Sequence, residues 1–146
     1  MPIRIKASRE NGKTFFSLKT ADARVKKGIH LALCDIGDEN VKYAKNLIIK
    51  PPKTGRLYLI DGKQHRASAP MEPPAARTRT LVRNTVSVVT GHYQVEIGYT
   101  ELYGKYLEEG TSKMVMRPVL SRTARVKSRS NIRALESEVN RMVDKP

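Results

Sequence analysis

The chain has no tryptophan and two phenylalanines among its 146 residues, and aromatic residues make up only 5% of it. With 39% hydrophobic residues it can bury a core at this length, but that core has to be aliphatic and modest. A single cysteine, Cys34, excludes an internal disulfide framework and fits a reducing compartment. Long apolar runs are missing as well. Nothing approaches the roughly 20 residues of a membrane span, and Met1–Lys6 lacks the apolar segment of a secretion signal. Secreted, disulfide-knotted and membrane-spanning classes are therefore not expected. One domain over residues 1–146 is.

Acidic residues are also scarce: 14 Asp and Glu stand against 28 Lys and Arg, for a net charge of +14. The excess is uneven. Residues 1–49 carry net +5, residues 50–83 net +6 and residues 111–146 net +6, while residues 84–110 reverse the sign to −3 through Glu96, Glu101, Glu108 and Glu109. An acidic waist between basic halves suits a self-associating protein that lays positive surface on a neighbour's negative one. A solvated surface of uneven charge accounts for the same numbers.

Catalytic constellations are missing too. His30, His65 and His92 fall in a helix, a loop and a turn, and no second cysteine or acidic cluster stands at metal-ligand spacing. Cys34 lies within an amphipathic stretch, as a buried structural thiol would. Ser68 lacks the strand–elbow–helix setting of a nucleophile. Glu108 and Glu109 are adjacent, so on a helix they diverge rather than converge as an acid/base pair. No glycine-rich phosphate loop is present. The expectation is a protein that is not an enzyme and takes no cofactor or metal. Nucleic-acid contact remains open through Arg77, Arg79, Arg83 or the Arg122, Arg125, Lys127 and Arg129 cluster. Stacking aromatics and recognisable nucleic-acid modules are lacking.

What is there reads as follows. Ile3, Ile5 and Ala7 alternate with Arg4 and Lys6 as in a half-buried strand, Asn11-Gly12 signals a turn, and Thr14–Leu18 is the return strand. From Thr20, an N-cap with Asp22 in the first turn, apolar residues recur at helical spacing from Val25 to Ile48. Gly28 and Gly37 weaken that helix, and Pro51-Pro52 ends it. If unbroken it is about 42 Å long. Residues 51–80 form an extended arm: Leu57–Ile60 turns at Asp61-Gly62 as a type I′ hairpin, and His65–Pro74 shows no apolar period and no reason to pack. A hairpin follows, with Val82, Val86, Val88, Val95 and Ile97 around Thr90-Gly91-His92. A short helix from Tyr103 to Glu109 stops at Gly110. After Arg117-Pro118 a helical pattern resumes, with Ile132, Leu135, Val139 and Met142 in one stripe, and with 123–130 left open as a break or a continuation. The fold class is α+β: an antiparallel β-sheet with a long N-terminal helix and a C-terminal helix packed on it, plus a long extended loop or hairpin arm.

Two segments carry a resemblance. The run Tyr103-Gly104-Lys105-Tyr106-Leu107-Glu108-Glu109-Gly110-Thr111-Ser112-Lys113-Met114, followed by Arg117-Pro118-Val119-Leu120, resembles the Tyr…Leu-Glu-aromatic-Gly-Thr-Ser…Arg-Pro-Phe-Leu signature of a neck and tail-completion family of tailed bacteriophages. That family is the gene-10 putative tail component of lambdoid phages, to which minor tail protein Z is similar. The stretch from His65 to Ala75, with Thr78-Arg79-Thr80-Leu81, is similar to its Ala-Ser-Ala-Pro-Gly-Glu-x-Pro-Ala…Thr-Gly-x-Leu segment. Together the likeness spans roughly residues 20–143 of the chain. It departs at Glu109 for an aromatic, at Met71 and Arg79 for glycine, and at Val119 for Phe.

The resemblance implies a non-enzymatic virion protein of the neck or upper tail, present in the host cytoplasm during assembly. Its partners would be itself, in a six-fold ring, and neighbouring neck, tail-terminator or tail-tube proteins. Genomic DNA would pass through the channel without sequence-specific binding. A closed ring needs a heterologous interface, for which Arg66, Arg79, Glu108 and Glu109 are the expected contacts. Tyr103, Tyr106, Leu107, Gly110, Thr111, Arg117 and Pro118 are the expected structural motif.

Overall fold

A computed structural model describes residues 5–10, 13–18, 23–50, 52–91 and 93–143, the first two stretches as backbone. The opening strands are β1 (Ile5–Glu10) and β2 (Lys13–Leu18), paired antiparallel from Ile5↔Leu18 to Glu10↔Lys13. Helix α1 (Ala23–Ile49) follows, 27 residues long. Ile3, the Asn11-Gly12 turn, the Thr20 cap with Asp22, Pro51 and His92 lie outside the described residues. Next come β3 (Leu57–Ile60), β4 (Lys63–Arg66), a single helical turn α2 (Thr80–Arg83), β5 (Thr85–Thr90) and β6 (Gln94–Tyr99). Two helices close the order, α3 (Leu102–Glu109) and α4 (Leu120–Val143). The larger sheet runs β1-β2-β6-β5, and β3 and β4 form a separate pair. This is the α+β fold that the patterning implies, with both sheets antiparallel among the described residues.

Chain contacts divide the molecule into two compact units. The first comprises residues 1–41, 87–97 and 124–146, and the second residues 42–86 and 98–123.

In the first unit α1 and α4 bury their apolar stripes together. Val25, Ile29, Ala32, Leu33 and Ile36 of α1 pack with Leu135 and Val139 of α4 and with Val95 of β6. Ile132 and Met142 complete the stripe read from the sequence. The open stretch 123–130 is helical, and α4 is continuous. Gly28 and Gly37 do not break α1. They allow close approach instead: a Cβ at Gly37 would lie 3.0 Å from the Val95 side chain, and one at Gly28 would lie 2.8 Å from Met142 Cγ. The helix cost of glycine is offset by tighter packing. Cys34 is half-buried on this helix rather than fully enclosed.

The second unit holds a smaller core of Ala44, Ile48 and Val119, with Leu47, Ala76, Leu81, Val82 and Leu120 against it. Two expectations are corrected here. Val82 belongs to α2 and packs on this core instead of extending β5. The stretch 65–74 does pack: His65 and Arg66 pair in β4, and Ser68, Pro73 and Pro74 are buried. The reason is a polar clasp with no hydrophobic period to announce it, described below. The β3–β4 hairpin itself matches its sequence signature. Its two-residue turn holds Asp61 at φ 51° and Gly62 at φ 72°, the pair of positive values a type I′ turn requires.

Candidate functional site

The segment carrying the family-like motif folds around one carboxylate. Helix α4 begins after Arg117-Pro118-Val119, which supplies no capping side chain, so its first N–H groups need an acceptor from elsewhere. Glu108 of α3 provides it. Its Oε1 accepts from the Val119 N–H at 2.8 Å and the Leu120 N–H at 2.7 Å, and its Oε2 accepts from the Ser121 N–H at 3.3 Å and hydroxyl at 3.1 Å. The Tyr99 hydroxyl donates to the same Oε1 at 3.2 Å. A negative charge at the positive end of a 24-residue helix is favourable in itself. Burial, reinforced by the neighbouring carboxylate, pushes the Tyr99 phenol far above its ordinary range, so it stays protonated and donates.

Leu107, Gly104 and Gly110 serve this arrangement. Leu107 is fully buried and its carbonyl accepts the Arg117 N–H at 2.7 Å. Gly104 leaves room for the Tyr99 ring, which a Cβ would strike. Gly110 takes φ 76°, donates to the Tyr106 carbonyl at 2.9 Å and turns the chain out of α3. Thr111 and Met114 then close a small β-bridge, and Met71 N–H donates to the Met116 carbonyl at 3.1 Å. Pro118 is half-buried. Tyr103 and Tyr106 are largely exposed, at 56% and 45%.

No hydrogen bond or ion pair joins the expected contact residues to one another. Glu109 is exposed, with Lys105 Nζ 4.0 Å away. Arg66 is exposed on β4, its guanidinium 3.4 Å from the Gly55 carbonyl. Arg79 is exposed at the N-cap of α2 with φ 57°. Glu108 points inward, and reversing its charge would disturb the subunit before it tested any interface. Sequence reading missed Tyr99 as its partner. The available signal was the absence of Ser, Thr, Asp or Asn ahead of α4.

A second carboxylate, also missed, organises the arm. Glu72 accepts from the Thr54 hydroxyl, from the Thr54 N–H at 3.1 Å and from the Ala69 N–H at 2.8 Å. These bonds, the Thr54 hydroxyl foremost, and Lys53 nearby hold its carboxyl at about 2, well below the ordinary 4.5. Lys53 is pushed down by burial against the pull of Glu72 and donates to the Leu47 carbonyl at 3.2 Å. Among the described residues no group of three or more His, Cys, Asp or Glu is placed to hold a metal ion, and no helix is long and apolar enough to cross a membrane.

The fold is α+β, and Glu108, Leu107 and Gly110 take part in the capped junction between α3 and α4. No protein-family model, curated protein or solved structure matches the chain.

Glu108→Ala leaves the first N–H groups of α4 without their acceptor and should lower unfolding stability by about 1–3 kcal/mol in urea titrations. Tyr99→Phe removes one of several donors and should cost about 0.5–1.5 kcal/mol. Because the folded Glu72 pKa is depressed, its clasp is fully present above pH 4.5 and is lost as pH falls through about 2. The Ala69 amide proton, followed by NMR, should therefore titrate near 2 rather than near 4.5.

Proposed function

We propose that this chain is a structural virion protein of the head–tail junction of a tailed phage. It would join head to tail as a non-catalytic ring around the DNA channel. The observation that carries the reading is backbone geometry at two positions. The resembled family commonly has glycine where this chain has Met71 and Arg79. Those two residues take φ 67° and φ 57°, the left-handed region that favours glycine, and besides Asp61 they are the non-glycine residues with positive φ among those described. Side-chain identity has changed while the backbone need for glycine has stayed, as expected of a diverged member of one fold. The motif from Leu107 to Pro118 supports the same reading, since its residues serve to build the subunit. In a ring, the net charge of +14 per chain calls for acidic neighbours or DNA to neutralise it.

Peptide mass spectrometry on density-purified particles tests the role. One copy per one or two portal subunits is the expected ratio. Absence from particles, together with DNA binding by the isolated chain that falls steeply with salt, would replace the reading with a DNA-binding accessory protein. The backbone argument has its own check. Met71→Gly relieves a left-handed side chain that is exposed, and should raise stability by about 0.5–1 kcal/mol in urea titrations.

A further inference from the structure

Two depressions of the second unit adjoin at Arg77 and Tyr103, which line both. One, of about 400 Å³, follows residues 74–82 and is lined in part by Thr78, Arg79, Thr80 and Glu101. The other, of about 320 Å³, is open and is lined in part by Tyr58, His65 and Arg117. Positive charge dominates this joint trough. Arg77, Arg79, Arg117 and His65 line it against one carboxylate, Glu101, which already accepts from the Asn84 amide at 3.0 Å.

Aromatic surface coincides with that charge. Tyr58 is 46% and Tyr103 56% exposed. On the hairpin Tyr58 pairs with His65 and Ile60 with Lys63, so these four share one strand face. Exposed Lys63 thus carries the positive charge on toward the hairpin turn. Tyr103 lies in the family-like motif, yet none of the hydrogen bonds that cap α4 uses it. The sequence shows only scattered tyrosines. The fold brings two of them, one from β3 and one from α3, onto a surface shared with Arg77.

Cations with few carboxylates among them attract a polyanion, and an open trough admits a chain that runs along it. Exposed rings beside the cations narrow the choice. A duplex keeps its bases stacked inside, and an acidic peptide answers the arginines but not the tyrosines. Unpaired bases stack on such rings whatever their sequence. We propose that this trough binds single-stranded nucleic acid, with Lys63, Arg77 and Arg79 on its phosphates and bases stacked on Tyr58 and Tyr103. Contacts to phosphates and base faces carry no sequence code, so the binding is sequence-tolerant. The inference goes beyond the proposed function and does not rest on it.

Fluorescence anisotropy of a labelled oligothymidine of about 12 nucleotides, titrated with the full chain across a salt series, tests it. Tyr58→Ala and Tyr103→Ala should each weaken binding about fivefold or more, and neither should change binding to a duplex of the same length. Tyr103→Phe keeps a ring and should stay within about twofold of the wild type. Arg77→Gln should weaken binding and flatten the log–log salt dependence by about 0.7, the value of one phosphate contact on a single strand. Arg133→Gln removes an exposed charge of α4 that lines neither depression, and should stay within about twofold. The substituted side chains are exposed, and circular dichroism checks that each variant stays folded. A wild-type chain that does not bind, or alanine variants that bind the single strand normally, would overturn the proposal. So would an Arg133→Gln loss equal to that of Arg77→Gln, which leaves only a general positive field. Polyglutamate bound as tightly as the oligonucleotide would also overturn it, assigning the trough to acidic peptides. A chain absent from phage particles that passes these tests keeps this surface and loses the neck role. A particle-borne chain that fails them does the reverse.

Discussion

The start of α4 presents several N–H groups with no acceptor of their own, and how that need is met governs much of the second unit. The acceptor is Glu108, which belongs to a different helix and stands eleven to thirteen residues earlier in the chain. For its carboxylate to reach, α3 has to end where it does, and Gly110 in a left-handed conformation ends it. The Tyr99 ring has to lie close against α3, and the missing Cβ at Gly104 permits that. The chain from Thr111 to Met116 then has to return, and its carbonyls take up the N–H groups of Thr111 and Met71. Helix start, helix stop and loop path thus answer one electrostatic requirement.

Elements whose burial follows a simple period were legible in the sequence. The α1 stripe from Val25 to Ile36 and the α4 stripe from Ile132 to Met142 face each other as their spacing implies. The Asp61-Gly62 turn was legible because the chemistry of a two-residue hairpin is local. Val82 was misplaced because a β-branched residue at the edge of a strand-like run carries no mark of the helical turn that tertiary packing imposes. The segment 65–74 was misjudged for a related reason. What orders it is Glu72 binding Thr54 and Ala69, a polar contact across 18 residues that leaves no periodic trace. In the candidate site the motif residues could be named in advance, but not their jobs. Adjacent Glu108 and Glu109 were expected to diverge, and they do: one turns inward to cap a helix and the other faces solvent.

Charge and apolar exposure are arranged together. The hairpin exposes Leu57 and Leu59 in the basic part of the chain, and α3 exposes Leu102 and Tyr106 in its acidic waist. A chain of net +14 repels its own kind at long range. Salt screens that repulsion beyond a Debye length of about 8 Å at physiological ionic strength.

The division into units also orders events during synthesis. All of the second unit, including the first turn of α4 that Glu108 caps, is encoded by residue 123. The first unit needs residues from 124 onward to cover the apolar face of α1 at Val25, Ile29 and Leu33. On a ribosome, that face therefore waits while the later-encoded but earlier-completed unit closes. A chain cut after residue 123 would keep every residue of the capped junction and lose the α4 stripe that covers α1, leaving an apolar helix face of the kind that makes partly folded species prone to aggregate.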